Sequence, residues 1–161
     1  MIVYFVGPDL FWPNYKEFVQ KTRRLAAEAG FEALFPGELE GVGAQAIVMS
    51  SLTLIDRADG LIANLNPFRG RLEPDSGTVF ECGYAIGRGK WVLGWVSDQR
   101  DLLTKAREWP EGPPPDGNVC RDGSEVEDFG SPLNIMLAVT AKGLLKSVEE
   151  AVAAAGALAR G

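Results

Sequence analysis

Two carboxylates, Asp75 and Glu81, lie six residues apart in the segment 75–85, where a turn leads into an apolar run. The chain has no histidine, so any acid, base or nucleophile that works near neutral pH must be a carboxylate, tyrosine, lysine or cysteine. Two acids in one pocket push their pKa values apart, which lets one be ionised while the other holds a proton. The pair therefore favours carboxylate chemistry of the kind that cleaves a bond at the anomeric carbon of a sugar.

Both carboxylates also have an ordinary structural interpretation. Thr78 and Glu81 fit a capping box, in which the glutamate reaches back to the amide of the cap residue. Glu81 would then lie in the first turn of a helix, where the helix dipole favours an ionised carboxylate. Asp75 and Asp59 each precede or follow small residues in a manner typical of turns. The sequence context of Glu81 leaves capping and catalysis equally open.

Composition argues against several classes of function. The net charge is −6 and no block of five basic residues occurs, so we expect no nucleic-acid partner. No apolar run reaches membrane-spanning length, and the chain opens with a strand-like run instead of a signal peptide, so we expect no membrane association. Cys82 and Cys120 suit a reducing cytosol better than a disulfide framework, and Cys82 is predicted to be a buried, inert thiol. The spacing of the cysteines does not match that of metal ligands, so we expect no bound metal ion.

Apolar periodicity predicts alternating strands and helices. The strands are 2–6, 31–35, 61–65 and 91–96, and the helices are 14–29, 44–57, 79–88 and 132–158. The last helix is expected to start with Ser131 as its cap and Pro132 in its first turn, and to fray over 151–159. A proline-rich segment, about 97–130, is predicted to be a long surface loop with at most one short helix or strand.

This alternation is typical of a doubly wound parallel α/β sheet, flavodoxin-like or Rossmann-like, in a single domain of residues 1–161. The expected strand order is 2-1-3-4, with any fifth strand drawn from the long loop. Ligands bind such sheets beyond the carboxyl ends of the strands, where the winding direction switches. That point lies between the first and third strands. It brings together the segments 7–11 and 64–75 and makes Gly7, Asp9, Phe11, Phe68 and Arg69 candidate substrate-binding residues.

Four segments together resemble the nucleoside 2-deoxyribosyltransferases. They are Val3–Asp9, Asp59–Gly70, Pro74–Glu81 and Glu127–Leu137, and they cover most of the chain except the long loop at 97–122. The resemblance implies a Glu nucleophile that holds the 2-deoxyribosyl group as an ester, and Glu81 matches it. It implies an Asp that assists protonation of the base, and Asp75 matches it. Tyr4 matches a tyrosine that hydrogen-bonds the nucleophile.

The resemblance also implies two further substrate contacts. Asp59 matches an aspartate that helps to hold the base or the neighbouring carboxylate. Asn134 matches an asparagine that meets the sugar hydroxyls and is usually supplied by a neighbouring subunit, so a homo-oligomer is expected. The expected substrates are deoxynucleosides and free nucleobases, without a cofactor, and the base preference stays open.

Two alternatives to transfer are kept. The first is hydrolysis of a deoxynucleoside or deoxynucleotide on the same fold, with water as the acceptor; fold alone does not separate it from transfer. The second is a non-catalytic module that binds nucleotides without turnover. This second alternative leaves the pair Asp75 and Glu81, and also Tyr4, without an explanation.

Overall fold

A five-stranded, all-parallel sheet forms the centre of the structure, a computed structural model that describes residues 1–38 and 42–161. The strands are β1 (Ile2–Val6), β2 (Glu32–Leu34), β3 (Gly60–Asn64), β4 (Trp91–Trp95) and β5 (Gly143–Leu145). Their order is β2-β1-β3-β4-β5, which confirms the predicted doubly wound arrangement and the order 2-1-3-4. In register, Val6 pairs with Ala63 and Ala63 pairs with Gly94, so the carboxyl ends of β1, β3 and β4 share one edge.

Helices cover both faces of this sheet. They are α1 (Tyr15–Ala29), α2 (Ala44–Arg57), α3 (Ser76–Gly87), α4 (Leu102–Arg107), α5 (Ile135–Thr140) and α6 (Val148–Arg160), with a 3₁₀ helix at Pro8–Phe11. Because side chains alternate along a strand, β1 sends Val3 and Phe5 into a core shared with α1 and α6. Tyr4 and Val6 enter the opposite core, which β1 shares with α2 and α3. The strands are therefore apolar on both faces, as buried parallel strands are.

The carboxyl-terminal part of the chain differs from its prediction. The single helix expected over 132–158 is wrong, because α5, the short strand β5 and α6 occupy that stretch. Asn134, and not Ser131, caps α5, and its side chain accepts a hydrogen bond from the Met136 amide. The fifth strand comes from this stretch and not from the long loop. The loop does contain one short helix, α4.

The alanine-rich stretch 151–159 does not fray as expected. It lies in α6, which continues to Arg160 and packs against α1. Ala151 and Ala155 are completely buried, and Gly156 lies so close to Ala29 that an added Cβ would approach its Cβ to 2.9 Å. Small residues thus allow the two helices to approach closely. No helix within 1–38 and 42–161 combines the length and the apolarity that a membrane crossing requires.

Candidate active site

A pocket at the carboxyl edge of the sheet brings Glu81 and Asp75 together. It lies between the turn after β1, the first half of α2 and the start of α3. Gly7 and Ser51 contribute to its polar wall. The rest of the lining is apolar or small and consists of Leu10, Phe11, Ile47, Val48, Leu52, Gly77, Thr78 and Phe80. Two carboxylates therefore share one largely apolar pocket.

Asp75 sets the start of α3. Its Oδ2 accepts hydrogen bonds from the Thr78 amide at 2.9 Å and from the Thr78 hydroxyl at 3.1 Å, so Asp75 is the N-cap. The helix begins at Ser76, three residues before its predicted start. Glu81 consequently lies in the second turn, and the capping-box interpretation of Thr78 and Glu81 is wrong. Glu81 is free of a capping role and faces the pocket.

The surroundings of Glu81 favour its protonated form. Burial above all, and then the negative charge of Asp75, raise the pKa of this carboxyl to about 7, although hydrogen bonding to the hydroxyls of Ser51 and Tyr4 opposes the rise. The predicted place of Glu81 in the first turn is wrong, and the helix dipole that favours an ionised carboxylate fades beyond that turn. Near neutral pH the Glu81 carboxyl can therefore either hold or release a proton.

Tyr4 and Ser51 are the polar neighbours of the Glu81 carboxyl. The Tyr4 hydroxyl donates to Ser51 Oγ at 3.4 Å, and Tyr4 has no exposed surface. Burial and then the charge of Glu81 raise the pKa of Tyr4, so it stays a neutral hydrogen-bond donor. Ser51 was not predicted from the sequence. The only signal was a pair of serines in the middle of an apolar helix, where a hydroxyl needs a partner.

Gly7 is required by close packing at the end of β1. A Cβ at this position would lie 2.5 Å from the Asn64 Cβ and 2.7 Å from Asp9 Oδ2. The same Asp9 oxygen accepts a hydrogen bond from Asn64 Nδ2 at 2.9 Å, and burial raises the pKa of Asp9. Asn64 Oδ1 in turn accepts from the Asn66 amide at 3.1 Å. This network joins the turn after β1 to the end of β3. Gly7 lines the Glu81 pocket, whereas Asp9 and the two asparagines do not, and no role was predicted for these asparagines from the sequence.

Phe11, Phe68 and Arg69 form a stack at the pocket mouth. The two rings are 5.5 Å apart and nearly parallel, and the Arg69 guanidinium lies 5.1 Å from the centre of Phe11 and 4.7 Å from that of Phe68. Phe68 is buried, whereas Phe11 is 53 % exposed and lines the pocket. Arg69 has a φ of 51°, an uncommon value for a residue with a side chain, and this turn directs its guanidinium over the rings.

The structure does not bring Asp59 to the pocket. Asp59 precedes β3 at the opposite, amino end of the sheet, and its Oδ2 accepts a hydrogen bond from the Ile2 amide at 2.7 Å. The predicted contact with the base or the neighbouring carboxylate therefore has no geometric support. Asp59 acts in the fold by tying the start of β3 to the start of β1.

Asn134 is also separate from the pocket within one chain. It borders a different groove, between α3 and α5, together with Val79, Ile86 and Leu137.

Cys82, next to Glu81, is completely buried. Burial, followed by the charge of Glu81, raises the pKa of its thiol to about 12, so that Cys82 stays a protonated, unreactive thiol. Within the described ranges, no group of three or more His, Cys, Asp or Glu residues is arranged to hold a metal ion.

These features define a flavodoxin-like α/β domain with a two-carboxylate pocket at the switch point of its sheet. Residues 3–136 match the family model described as nucleoside 2-deoxyribosyltransferase. The chain belongs to the nucleoside 2-deoxyribosyltransferase family, whose members are pentosyltransferases.

Solved structures are consistent with this assignment. The 2-deoxyribosyltransferase of Leishmania mexicana is 32 % identical, with a TM-score of 0.83 over 97 % of both chains. The 2-deoxyribosyltransferase of Bacillus psychrosaccharolyticus has a TM-score of 0.57 at 15 % identity, covering 94 % of this chain and 90 % of that one. A CMP N-glycosidase of Clostridium botulinum has a TM-score of 0.53 at 12 % identity, covering 94 % and 95 %. The last two show a shared fold alone.

A curated relative extends the similarity to fungi. Protein C191.05c of Schizosaccharomyces pombe is 34 % identical over 116 residues, which are 66 % of this chain and 55 % of the relative. The chain therefore spans about half the length of the curated relative that it matches.

Proposed function

We propose that this protein transfers 2-deoxyribose from one nucleobase to another through a covalent ester on Glu81. The observation that carries the proposal is the shared pocket of Glu81 and Asp75, in which the Glu81 carboxyl has a pKa of about 7 and rests on the hydroxyls of Tyr4 and Ser51. Family membership supplies the reaction class. The pocket supplies the two acidic groups that such a reaction needs.

In the first half-reaction, the ionised carboxylate of Glu81 attacks the anomeric carbon and forms a carbon–oxygen ester bond. The glycosidic carbon–nitrogen bond breaks, and its electron pair leaves with the base. The base takes up a proton, which we assign to Asp75 because this residue lines the same pocket. The proton that Glu81 holds near neutral pH passes to Asp75 before the attack, so that Glu81 reacts as a carboxylate and Asp75 as the acid. In the second half-reaction a different free base attacks the anomeric carbon, releases Glu81 as a carboxylate and returns the proton to Asp75. Atoms and charges balance over the two steps.

The surroundings of Glu81 suit both halves of this cycle. A carboxylate with a pKa of about 7 is a better leaving group than an alkoxide, yet retains more nucleophilicity than an ordinary, fully solvated carboxylate. Because Tyr4 stays neutral, its hydroxyl can donate to the developing or departing carboxylate without adding negative charge. Asp75 is held in place by its bonds to Thr78, both of which end on Oδ2.

The aromatic stack is the proposed base subsite. Phe11 presents an exposed face at the pocket mouth, and flat heteroaromatic bases stack well on such faces. Phe68 stacks on Phe11, and Arg69 lies within cation–π distance of both rings. Stacking is tolerant of base identity, which fits an enzyme that must accept one base after releasing another.

We further propose that Asn134 of a second copy completes the sugar subsite. Asn134 does not line its own chain's Glu81 pocket. Leu133 and Leu137 are buried in the core of their own chain, whereas Met136 and Val139 are 70 % and 80 % exposed. Exposed apolar side chains beside a polar residue are typical of an interface.

Refolding two inactive variants together tests this arrangement. The Glu81→Ala protein should be inactive alone, and the Asn134→Ala protein should keep only a small, measurable activity. Mixed oligomers should regain part of the wild-type activity because some pockets contain both native residues. Full activity in a monomer, established by sedimentation, would exclude a site shared between copies.

Product chromatography tests the reaction itself. The protein is incubated with deoxyinosine, with and without adenine or cytosine. Transfer predicts deoxyadenosine or deoxycytidine only when the acceptor base is present, and none of either with Glu81→Ala. Free deoxyribose that forms equally without an acceptor would replace transfer by hydrolysis. Binding without any product would replace it by a sensing role.

A further inference from the structure

Glu127 holds the first turn of α5 with both of its carboxylate oxygens. Its Oε1 accepts a hydrogen bond from Asn134 Nδ2 at 2.7 Å, and its Oε2 accepts one from the Ile135 amide at 2.9 Å. The α5 helix has only six residues and is too short to be stable through its own backbone bonds. A bidentate carboxylate at its start therefore fixes both the helix and the side chain of its cap residue.

The opposite end of the Asn134 carboxamide is fixed as well. Asn134 Oδ1 accepts a hydrogen bond from the Met136 amide at 2.9 Å. Because Nδ2 is committed to an acceptor and Oδ1 to a donor, the two ends of the amide cannot exchange places. An amide has two N–H donors and two acceptor lone pairs, so one donor and one lone pair stay available to a ligand. A sugar hydroxyl, which both donates and accepts, matches that pair.

The backbone that presents Asn134 is anchored independently of Glu127. Lys105, which is 6 % exposed, donates from Nζ to the Pro132 carbonyl, and the Leu102 amide donates to the Ser131 carbonyl at 2.7 Å. Leu133 is buried in the core next to these contacts. The helix α4 thus anchors the backbone before Asn134, whereas Glu127 fixes the side-chain amide of Asn134 itself.

We propose that Glu127 is a positioning residue that orients the Asn134 carboxamide toward the sugar hydroxyls of the substrate. The proposal deepens the proposed function and rests on it, since it assigns Asn134 to the sugar. Glu127 does not touch the substrate. It sets which end of the Asn134 amide is offered, and it supplies a negative charge that polarises the amide N–H bonds.

Removal of this carboxylate should weaken catalysis through Asn134 alone. We expect Glu127→Ala to lower kcat/KM by about 10- to 100-fold, the range typical of a displaced positioning group. Glu127→Gln should lose less, because its single amide oxygen can still accept one of the two hydrogen bonds. Asp128→Ala is the matched control. It removes the same charge from the next residue, which is exposed, and kcat/KM should stay at the wild-type value.

A double-mutant cycle tests whether Glu127 acts through Asn134. Adding Glu127→Ala to Asn134→Ala should cause no further loss of kcat/KM, since there is no carboxamide left to orient. Losses that multiply, or a fully active Glu127→Ala protein, would overturn the proposal while leaving the proposed reaction intact. A fully active Asn134→Ala protein would instead refute the assignment of Asn134 to the sugar, and with it the inference.

The side-chain NH₂ resonances of Asn134 give a readout that does not depend on turnover. They are identified by their absence in Asn134→Ala. In the native protein the two protons should be well separated in chemical shift, because only one donates to a carboxylate. Glu127→Ala should bring them together, and Asp128→Ala should leave them unchanged. Unmoved resonances in Glu127→Ala would overturn the proposal whether or not the protein transfers deoxyribose.

Discussion

Replacing Glu81 by glutamine should make the protein more stable at alkaline pH. The pKa of Glu81 is about 7 in the native protein, raised first by burial and then by the charge of Asp75, against an ordinary value of 4.5 in the unfolded chain. Between these values the native state binds more protons than the unfolded state. Stability from this group is therefore complete below pH 4.5 and is lost as the pH rises through 7.

The size of the effect follows from the two pKa values. A rise in the pKa of Glu81 from 4.5 to about 7 lowers the free energy of unfolding by a total of about 3 kcal/mol as the pH increases. About 2 kcal/mol of this loss falls between pH 5.5 and pH 8.5. Glutamine has the same shape and no charge to bury. Between pH 5.5 and pH 8.5, the free energy of unfolding of Glu81→Gln should therefore increase by about 2 kcal/mol relative to that of the wild type.

Urea unfolding at the two pH values measures this difference. Both values lie above the sequence pI of about 4.7, where the protein carries net charge. Effects of the new amide on local hydrogen bonds are present at both pH values and cancel. Glu28→Gln, on the exposed side of α1, is the control and should give the same difference at pH 5.5 and pH 8.5. An equally flat result for Glu81→Gln would refute the reasoning that burial and Asp75 raise the pKa of Glu81.

Three other substitutions separate chemistry from structure. Asp75→Asn should leave α3 intact, since asparagine also caps helices, but should lower kcat by about 100-fold or more for bases that need a proton to leave. If its kcat equals that of the wild type for all bases, Asp75 has a capping role alone. Ser51→Ala removes a hydrogen bond that lowers the pKa of Glu81, so the acidic limb of the pH–kcat profile should move to higher pH, and an unmoved limb would place Ser51 outside the site. Asp59→Ala should cost about 1 kcal/mol in urea unfolding with kcat unchanged, and a large drop in kcat would restore Asp59 to the site.

The sheet topology was predictable because strong, separate signals encode it. Apolar runs that end in Gly-Pro or Gly-containing turns mark β1 and β3, and Gly30, in a left-handed conformation, ends α1 next to the predicted boundary at residue 29. The prediction failed after residue 132. There, β5 has three half-buried residues at the sheet edge, which are too few for a recognisable strand pattern. The alanine-rich α6 follows closely, so its helical pattern was taken to include the residues of β5 as well.

The site was predictable only in part, for a physical reason. Glu81, Asp75 and Gly7 belong to one short stretch or lie at a strand end, so topology alone brings them together. Ser51 lies on a helix whose orientation depends on packing, and sequence does not state which side meets the pocket. Asp59 was misplaced because its site role came from the resemblance alone, whereas its position before β3 puts it at the amino end of the strand, away from the pocket.

The central claim is a covalent 2-deoxyribosyl ester on Glu81. Mixing the wild-type protein with deoxyinosine in the absence of an acceptor base, quenching in acid and mapping peptides by mass spectrometry tests it directly. The account predicts a mass increase of one 2-deoxyribosyl group on the peptide that contains Glu81, which disappears when adenine is added and is absent in Glu81→Gln. Transfer without any adduct, or an adduct on Asp75, would contradict the account.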